Sequence, residues 1–137
     1  MVQPAYADVE LLLTVWLADI LDVRCVTDLP AALGESVPLL QVVRVGGTDR
    51  QITLDEADVD IDAYVGPDDA GNPDRAAARE LAEQARNAVR YELPGVVFTD
   101  AVVARTQTIV APAWRPYDNT ALRRFGGSYR LTLHSRL

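Results

Sequence analysis

Asp58, Asp60 and Asp62 alternate with apolar residues, and three carboxylates at this spacing raise the question of a calcium site. A calcium loop of the helix–loop–helix type needs glycine at its sixth position and a bidentate glutamate at its twelfth. Counted from the first aspartate, those positions hold alanine and aspartate. The alternation instead predicts a β-strand over residues 58–65 with its carboxylates on one solvated face, and no metal site.

Nucleophilic catalysis has few candidate residues in this chain. Cys25 and His134 are the single cysteine and the single histidine. Cys25 lies among apolar residues, which is typical of a buried core thiol, and His134 lies on the polar side of the last predicted strand. One cysteine and one histidine also argue against zinc. We therefore predict no catalytic residue, no cofactor and no metal, so the protein is not expected to be an enzyme.

A segment between two predicted C-terminal strands, residues 111–120, is rich in the residue types found at the energetic centres of interfaces. Two interpretations remain open: either this loop contacts another subunit or partner, or it folds back so that its tryptophan caps the core. In the first case, the arginine pair that follows could face the three aspartates of another copy. The residues predicted for this interface are Trp114, Arg115, Tyr117, Arg123 and Arg124.

The elements that position these residues follow from hydrophobic periodicity. The last third of the chain predicts strands over residues 97–110 and 124–134, the first of which should stop because Pro112 and Pro116 cannot donate to a ladder. In the second, Phe125, Tyr129 and Leu131 fall on the apolar face.

Further elements are expected upstream. Apolar spacings of three and four predict a helix over residues 6–21, and Asn72-Pro73 predicts the cap of a second helix that runs to about residue 91. A short strand is predicted over residues 23–26 and a central strand over residues 39–45, which Gly46-Gly47 should end. We predict one α+β domain spanning residues 1–137: a mostly antiparallel sheet of four to five strands with two main helices packed on it.

Composition narrows the classes of function. The chain has a formal net charge of -7, and its 13 basic residues are all arginine. An acidic domain is a poor candidate for gripping nucleic acid, because phosphate binding needs clustered positive charge. A single cysteine excludes an internal disulfide. The apolar run over residues 11–21 is too short to cross a bilayer.

Several stretches, in their order along the chain, resemble one protein family. They are residues 23–30 (VRCVTDLP), residues 39–47 ending VVRVGG, the alternating strand at residues 59–62, the Ala/Arg helix, and residues 123–133 (RRFGGSYRLTL). Together they resemble the tail terminator proteins of long non-contractile-tailed bacteriophages, especially those of actinobacteria. The likeness covers nearly the whole chain.

The resemblance implies a virion structural protein, assembled in the host cytoplasm, that forms a ring, typically a hexamer. The ring would cap the head-proximal end of the tail tube, end tube polymerisation and offer a docking surface to the head connector. Its implied partners are copies of itself, the major tail tube protein and the head connector protein, and DNA would pass through the lumen without specific binding. We expect Asp58, Asp60 and Asp62 to face this lumen or the next subunit.

Two alternatives remain. A head–tail connector or tail-completion protein is similarly small and acidic. A small α+β ligand-binding domain belongs to another class and would need a pocket with convergent polar groups.

Overall fold

Alternating apolar and polar residues build five strands, and helices with one buried side cover a single face of the resulting sheet. The computed structural model describes residues 6–136. A short 3-10 turn at Leu33–Glu35 precedes the second strand, and the second helix continues as a π-helical turn over Ala88–Glu92. The elements are α1 (Val9–Leu21), β1 (Arg24–Val26), β2 (Leu39–Gln51), β3 (Leu54–Val65), α2 (Arg75–Asn87), β4 (Ala101–Trp114) and β5 (Arg123–Ser135).

The strands lie in the order β1-β2-β3-β5-β4. β1 pairs with β2 in parallel, and all the other neighbours are antiparallel. The predicted α+β fold with a mostly antiparallel sheet and two main helices is confirmed. None of the helices in the described part of the chain is long and apolar enough to cross a membrane.

The core lies between the sheet and the two helices. α2 presents a stripe of small residues, Ala78, Ala82 and Ala85, which lets the helix approach β3 and β5 closely. From the sheet, the apolar sides of β3 and β5 contribute residues that are almost completely buried. Burying one such large apolar side chain stabilises the fold by about 1.5–3 kcal/mol. The main sheet residues of this core are Val59, Ile61, Ala63, Phe125, Tyr129, Leu131 and Leu133.

Both helices begin later than predicted, because an aspartate supplies each cap. The Asp8 carboxylate accepts from the Leu11 N–H at 3.1 Å, and the Asp74 carboxylate accepts from the Ala77 N–H at 3.0 Å. Each bond satisfies one of the free N–H groups of a first helical turn. The predicted cap at Asn72 is wrong, since Asn72 lies in the preceding loop.

The strand predicted over residues 97–110 is displaced, and it does not stop at its first proline. β4 runs from Ala101 through Pro112 to Trp114. Proline is tolerated there because β4 is the edge of the sheet, and the register shifts between Val110 and Ala113. The connecting loop therefore covers only residues 115–122.

The predicted end of β2 at Gly46-Gly47 is also wrong. Gly47 adopts a φ of +117° within the strand, and a side chain there would overlap the Glu56 backbone carbonyl. The register shifts between Arg44 and Gly46, so the glycines form an irregularity in a strand that continues to Gln51. The chain reverses at Ile52-Thr53 instead.

Candidate functional site

The side of the sheet that faces away from the helices carries a row of charged residues. The carboxylates come from every second position of β3, and their partners come from β5 and from the loop that precedes it. We call this set the charge ladder. It consists of Glu56, Asp58, Asp60, Asp62, Arg115, Ser128 and Arg130.

One end of the charge ladder is held by Arg130. Its Nε donates to Asp58 Oδ1 at 2.8 Å, and its Nη2 donates to Asp58 Oδ2 at 3.3 Å. Glu56 lies 3.9 Å from the same Nε. Hydrogen bonding to Asp58 and its charge raise the pKa of Arg130. The Arg130 side chain is 38% exposed, so the pair contributes little to stability.

The other end is held by Arg115, which reaches back from the loop across β5 to β3. Its Nη1 lies 2.7 Å from Asp62 Oδ1 and 3.7 Å from Asp60 Oδ2. Ser128 Oγ donates to Asp60 Oδ1 at 2.5 Å and accepts from Arg115 Nη2 at 3.3 Å. Two side chains of β3 and one of β5 are thus tied together around one guanidinium group of the loop.

The Asp62 carboxylate is only 14% exposed. Burial raises its pKa, and the positive charges of Arg115 and Arg124 oppose that rise without cancelling it. Gly126 makes this geometry feasible: it pairs with Asp62 across the strands, and a methyl group on its Cα would overlap the Asp62 carboxylate. The ion pair therefore occupies the space that a side chain at position 126 would fill.

The loop between β4 and β5 folds back on its own domain, which is one of the two interpretations left open by the sequence. Trp114, which the structure places at the end of β4 just before the loop, packs edge-to-face on Phe125 with ring centroids 5.9 Å apart and joins the periphery of the main core. The guanidinium groups of Arg75 and Arg123 lie 4.7 and 5.4 Å from the centre of the Trp114 ring. At these distances the cations interact favourably with the indole face.

Tyr117 and Arg124 pack over a second, smaller core. The Tyr117 ring meets Tyr64 at right angles, 5.2 Å between centroids, and Tyr64 is buried with Leu39 and Leu122. Arg124 donates to the Tyr64 hydroxyl at 3.3 Å and to the Pro116 carbonyl at 2.8 Å. Burial raises the pKa of Tyr64. The loop is thereby anchored to the body of the domain at both ends.

These contacts change the interpretation of the predicted residues. The aspartates do not form the freely solvated face that was expected, because each has a partner inside its own chain. Arg123 and Arg124 likewise have partners within the loop and on Tyr64. Contacts of these same residues with another copy remain a prediction.

Arg130 and Ser128 were not predicted from the sequence. The alternation of β5 places them on one face, but their partners depend on the register between β3 and β5. An ion pair on the helical side of the sheet was not predicted either. There, Arg44 makes two hydrogen bonds of 2.7 and 2.9 Å to the buried Asp55, and Glu10 accepts from the Arg44 backbone N–H at 2.8 Å. This contact joins the start of α1 to the hairpin formed by β2 and β3.

A cleft of about 750 Å³ lies elsewhere, between the end of α1 and α2, and its rim includes Asp22, Asp68 and Glu80. Among residues 6–136, no group of three or more His, Cys, Asp or Glu side chains is arranged to hold a metal ion. The chain matches no family model and no curated protein. The charge ladder must therefore be interpreted from its own geometry.

Proposed function

We propose that this protein is a structural subunit of a phage tail, which assembles as a ring on the head-proximal end of the tail tube. In this role it ends tube polymerisation and provides the docking surface for the head connector. The proposal follows the resemblance of the chain to tail terminators. Its partners would be copies of itself, the major tail tube protein and the head connector protein.

The observation that supports this role best is the way in which Arg115 fastens the loop to the open face of the sheet. The Arg115 guanidinium bridges the loop, β3 and β5 through Asp62, Asp60 and Ser128. Loop and sheet therefore form one preorganised surface. A subunit that must bind identical copies repeatedly gains from such a surface, because little conformational entropy remains to be lost on assembly.

We further propose that the charge ladder faces the ring lumen. Its aspartates form ion pairs with Arg115 and Arg130, and Arg50 lies 3.4 Å from Glu56. The arginines are engaged with carboxylates, so such a lumen presents no free cluster of positive charge to DNA phosphates. The repulsion of DNA is weaker than three unpaired aspartates would produce, but DNA would still pass without being held.

The role at the tail tube is tested by combining the purified chain with the tube protein encoded by the same genome. We expect native mass spectrometry to detect a ring of about six copies. Electron microscopy should show short tubes capped at one end when the chain is added during tube growth. A ring that binds the head connector protein and leaves tube length unchanged would favour the connector alternative. A monomer with no effect on tubes would overturn both.

The lumen assignment has a separate test. The variant Asp58→Asn/Asp60→Asn/Asp62→Asn releases the arginines of the charge ladder, so we expect it to gain salt-sensitive binding to duplex DNA in a mobility-shift assay. A matched control, Asp28→Asn/Asp69→Asn/Asp118→Asn, changes the total charge equally at exposed positions. Equal DNA binding by the two variants would contradict a lumen-facing charge ladder.

A further inference from the structure

α1 carries apolar residues on the side that faces away from the core. Leu11 and Val15, one helical turn apart, are 60% and 64% exposed. They border a groove of about 430 Å³ between α1 and residues 98–100, and Trp16 and Phe98 contribute further apolar surface. A surface helix normally presents polar residues on this side. We call this feature the α1 groove.

Carboxylates surround the α1 groove. Asp8, Asp19 and Asp100 all line it, while the neighbouring Arg136 is engaged with the Phe98 carbonyl at 2.9 Å. An apolar surface with an acidic rim favours a partner that offers exposed apolar side chains next to a positive charge, since complementary charges steer and orient an association.

β4 offers such a surface on the same chain. It is an edge strand: near its start Val103 bonds to residues 95 and 96, and the Thr106 carbonyl accepts from Arg90, but no other strand among residues 6–136 pairs with the outer side of residues 107–114. Ile109 and Val110 are exposed together near its middle, and Arg105 is exposed on the same strand. Exposed apolar residues on an open strand edge are a ready site for association with another chain. We call this feature the β4 edge.

The hairpin of β2 and β3 also exposes apolar residues with an arginine, namely Val45, Ile52 and Arg50. However, the Tyr6 hydroxyl donates to the Ile52 carbonyl at 2.8 Å, which places the hairpin tip beside the start of α1. The hairpin therefore lies at the end of the molecule that already carries the α1 groove. The β4 edge is a distinct surface, and two distinct complementary surfaces are what a head-to-tail ring requires.

We propose that the α1 groove of one copy receives the β4 edge of the next copy. In this contact, Ile109 and Val110 cover Leu11 and Val15, while Arg105 meets the acidic rim. The inference rests on the proposed ring and identifies the two surfaces that form it. Trp114 at the end of β4 and Tyr117 in the loop are packed within their own domain and are not the main contact.

The test uses two variants of the full chain, each with one surface blocked. Leu11→Asp/Val15→Asp blocks the α1 groove, and Ile109→Asp/Val110→Asp blocks the β4 edge. All four positions are exposed, so we expect wild-type circular dichroism and at least a tenfold loss of self-association for each variant in sedimentation velocity. The control Val45→Asp/Ile52→Asp introduces the same charges on the hairpin and should still form the ring.

Mixing the two blocked variants distinguishes a head-to-tail contact from other arrangements. Each mixed pair keeps one intact α1 groove and one intact β4 edge, so we expect heterodimers and nothing larger. Ring formation by either variant alone would overturn this contact and leave the proposed function standing. The same holds if the groove variant still forms the ring and loses only its binding to the tube. Two monomeric variants that fail to pair would also overturn it. A wild-type chain that is monomeric at every concentration, with or without tube protein, would overturn the proposed function and this contact with it.

Discussion

The two faces of β3 and β5 use the same backbone in opposite ways. On the helical side, Val59, Ile61 and Leu131 are almost completely excluded from water. On the open side, the residues between them are aspartates, a serine and an arginine that are bonded to one another. One face is held by the burial of apolar area, and the other by directional contacts at its surface.

The difference shows which interactions depend on register. An apolar side chain is stabilised by any apolar neighbour, because the hydrophobic effect has no direction. The charge ladder depends on particular opposite residues: Asp58 faces Arg130, Asp60 faces Ser128 and Asp62 faces Gly126. A slip of two residues would keep the apolar side of each strand towards the helices but would break these pairs. We therefore expect the core face to determine stability and the open face to determine which register is adopted.

The largest effect is expected on the core face. Leu131→Ala should lower the free energy of unfolding by about 2–5 kcal/mol, because it removes buried methyl groups and leaves a cavity. Urea unfolding followed by circular dichroism measures the change. Ile52→Ala, at a position that is 73% exposed, is the control and should stay within about 0.5 kcal/mol of wild type. Similar losses for both variants would remove the distinction between core and surface.

On the open face, the strongest test is Gly126→Ala, which should cost about 1–3 kcal/mol because the new methyl group displaces the Asp62 carboxylate. The cost should shrink when Asp62→Ala removes the obstructing group. Gly34→Ala is the matched control, since nothing lies within 4 Å of the added methyl. If Gly126→Ala is equally costly in both backgrounds, the ion pair is not what requires glycine.

The two ion pairs of the charge ladder should differ in strength. Double-mutant cycles on Asp62→Asn with Arg115→Met should give a coupling energy of about 1–2 kcal/mol, because Asp62 is largely buried and its hydrogen bond is charged. The cycle on Asp58→Asn with Arg130→Met should give a clearly smaller coupling energy, because water screens an exposed pair. The reverse order would mean that burial does not set their relative strength.

The core face could be predicted from the sequence because each strand carries its own pattern. The alternation of Phe125, Tyr129 and Leu131 identified the buried side without knowledge of the neighbours. The strand ends could not be predicted as well. Pro112 stays in β4 because β4 turned out to be an edge, and Gly47 stays in β2 because it occupies an irregular position with positive φ. Both facts depend on tertiary context.

For the candidate site, the sequence identified the aspartates and the loop but not the pairing between them. Asp62 and Arg115 are 53 positions apart, and only the order of β3, β5 and β4 brings them together. Arg130 and Ser128 could have been linked to the aspartates by aligning the two alternating strands. That alignment requires knowing that β3 pairs with β5, although β4 is β5's neighbour in sequence.

The smallest effect concerns the pH dependence of the open face. Burial raises the pKa of Asp62 in the folded protein, whereas an unfolded chain has the ordinary value of about 3.9. The folded state therefore holds this proton more tightly. The stability contributed by this bound proton is complete below the unfolded-state pKa of Asp62 and is lost as the pH rises through the folded-state pKa.

Asp62→Asn cannot titrate, so the difference in unfolding free energy between wild type and Asp62→Asn isolates this proton from the other carboxylates. We expect wild type to lose stability relative to Asp62→Asn as the pH rises from 3 to 7 in a series of urea titrations. Carbon-detected NMR of the Asp62 carboxyl should show a midpoint above the ordinary value. A relative gain by wild type over the same interval would mean that attraction to Arg115 outweighs burial. The open face would then contribute more to stability than its contrast with the core face implies.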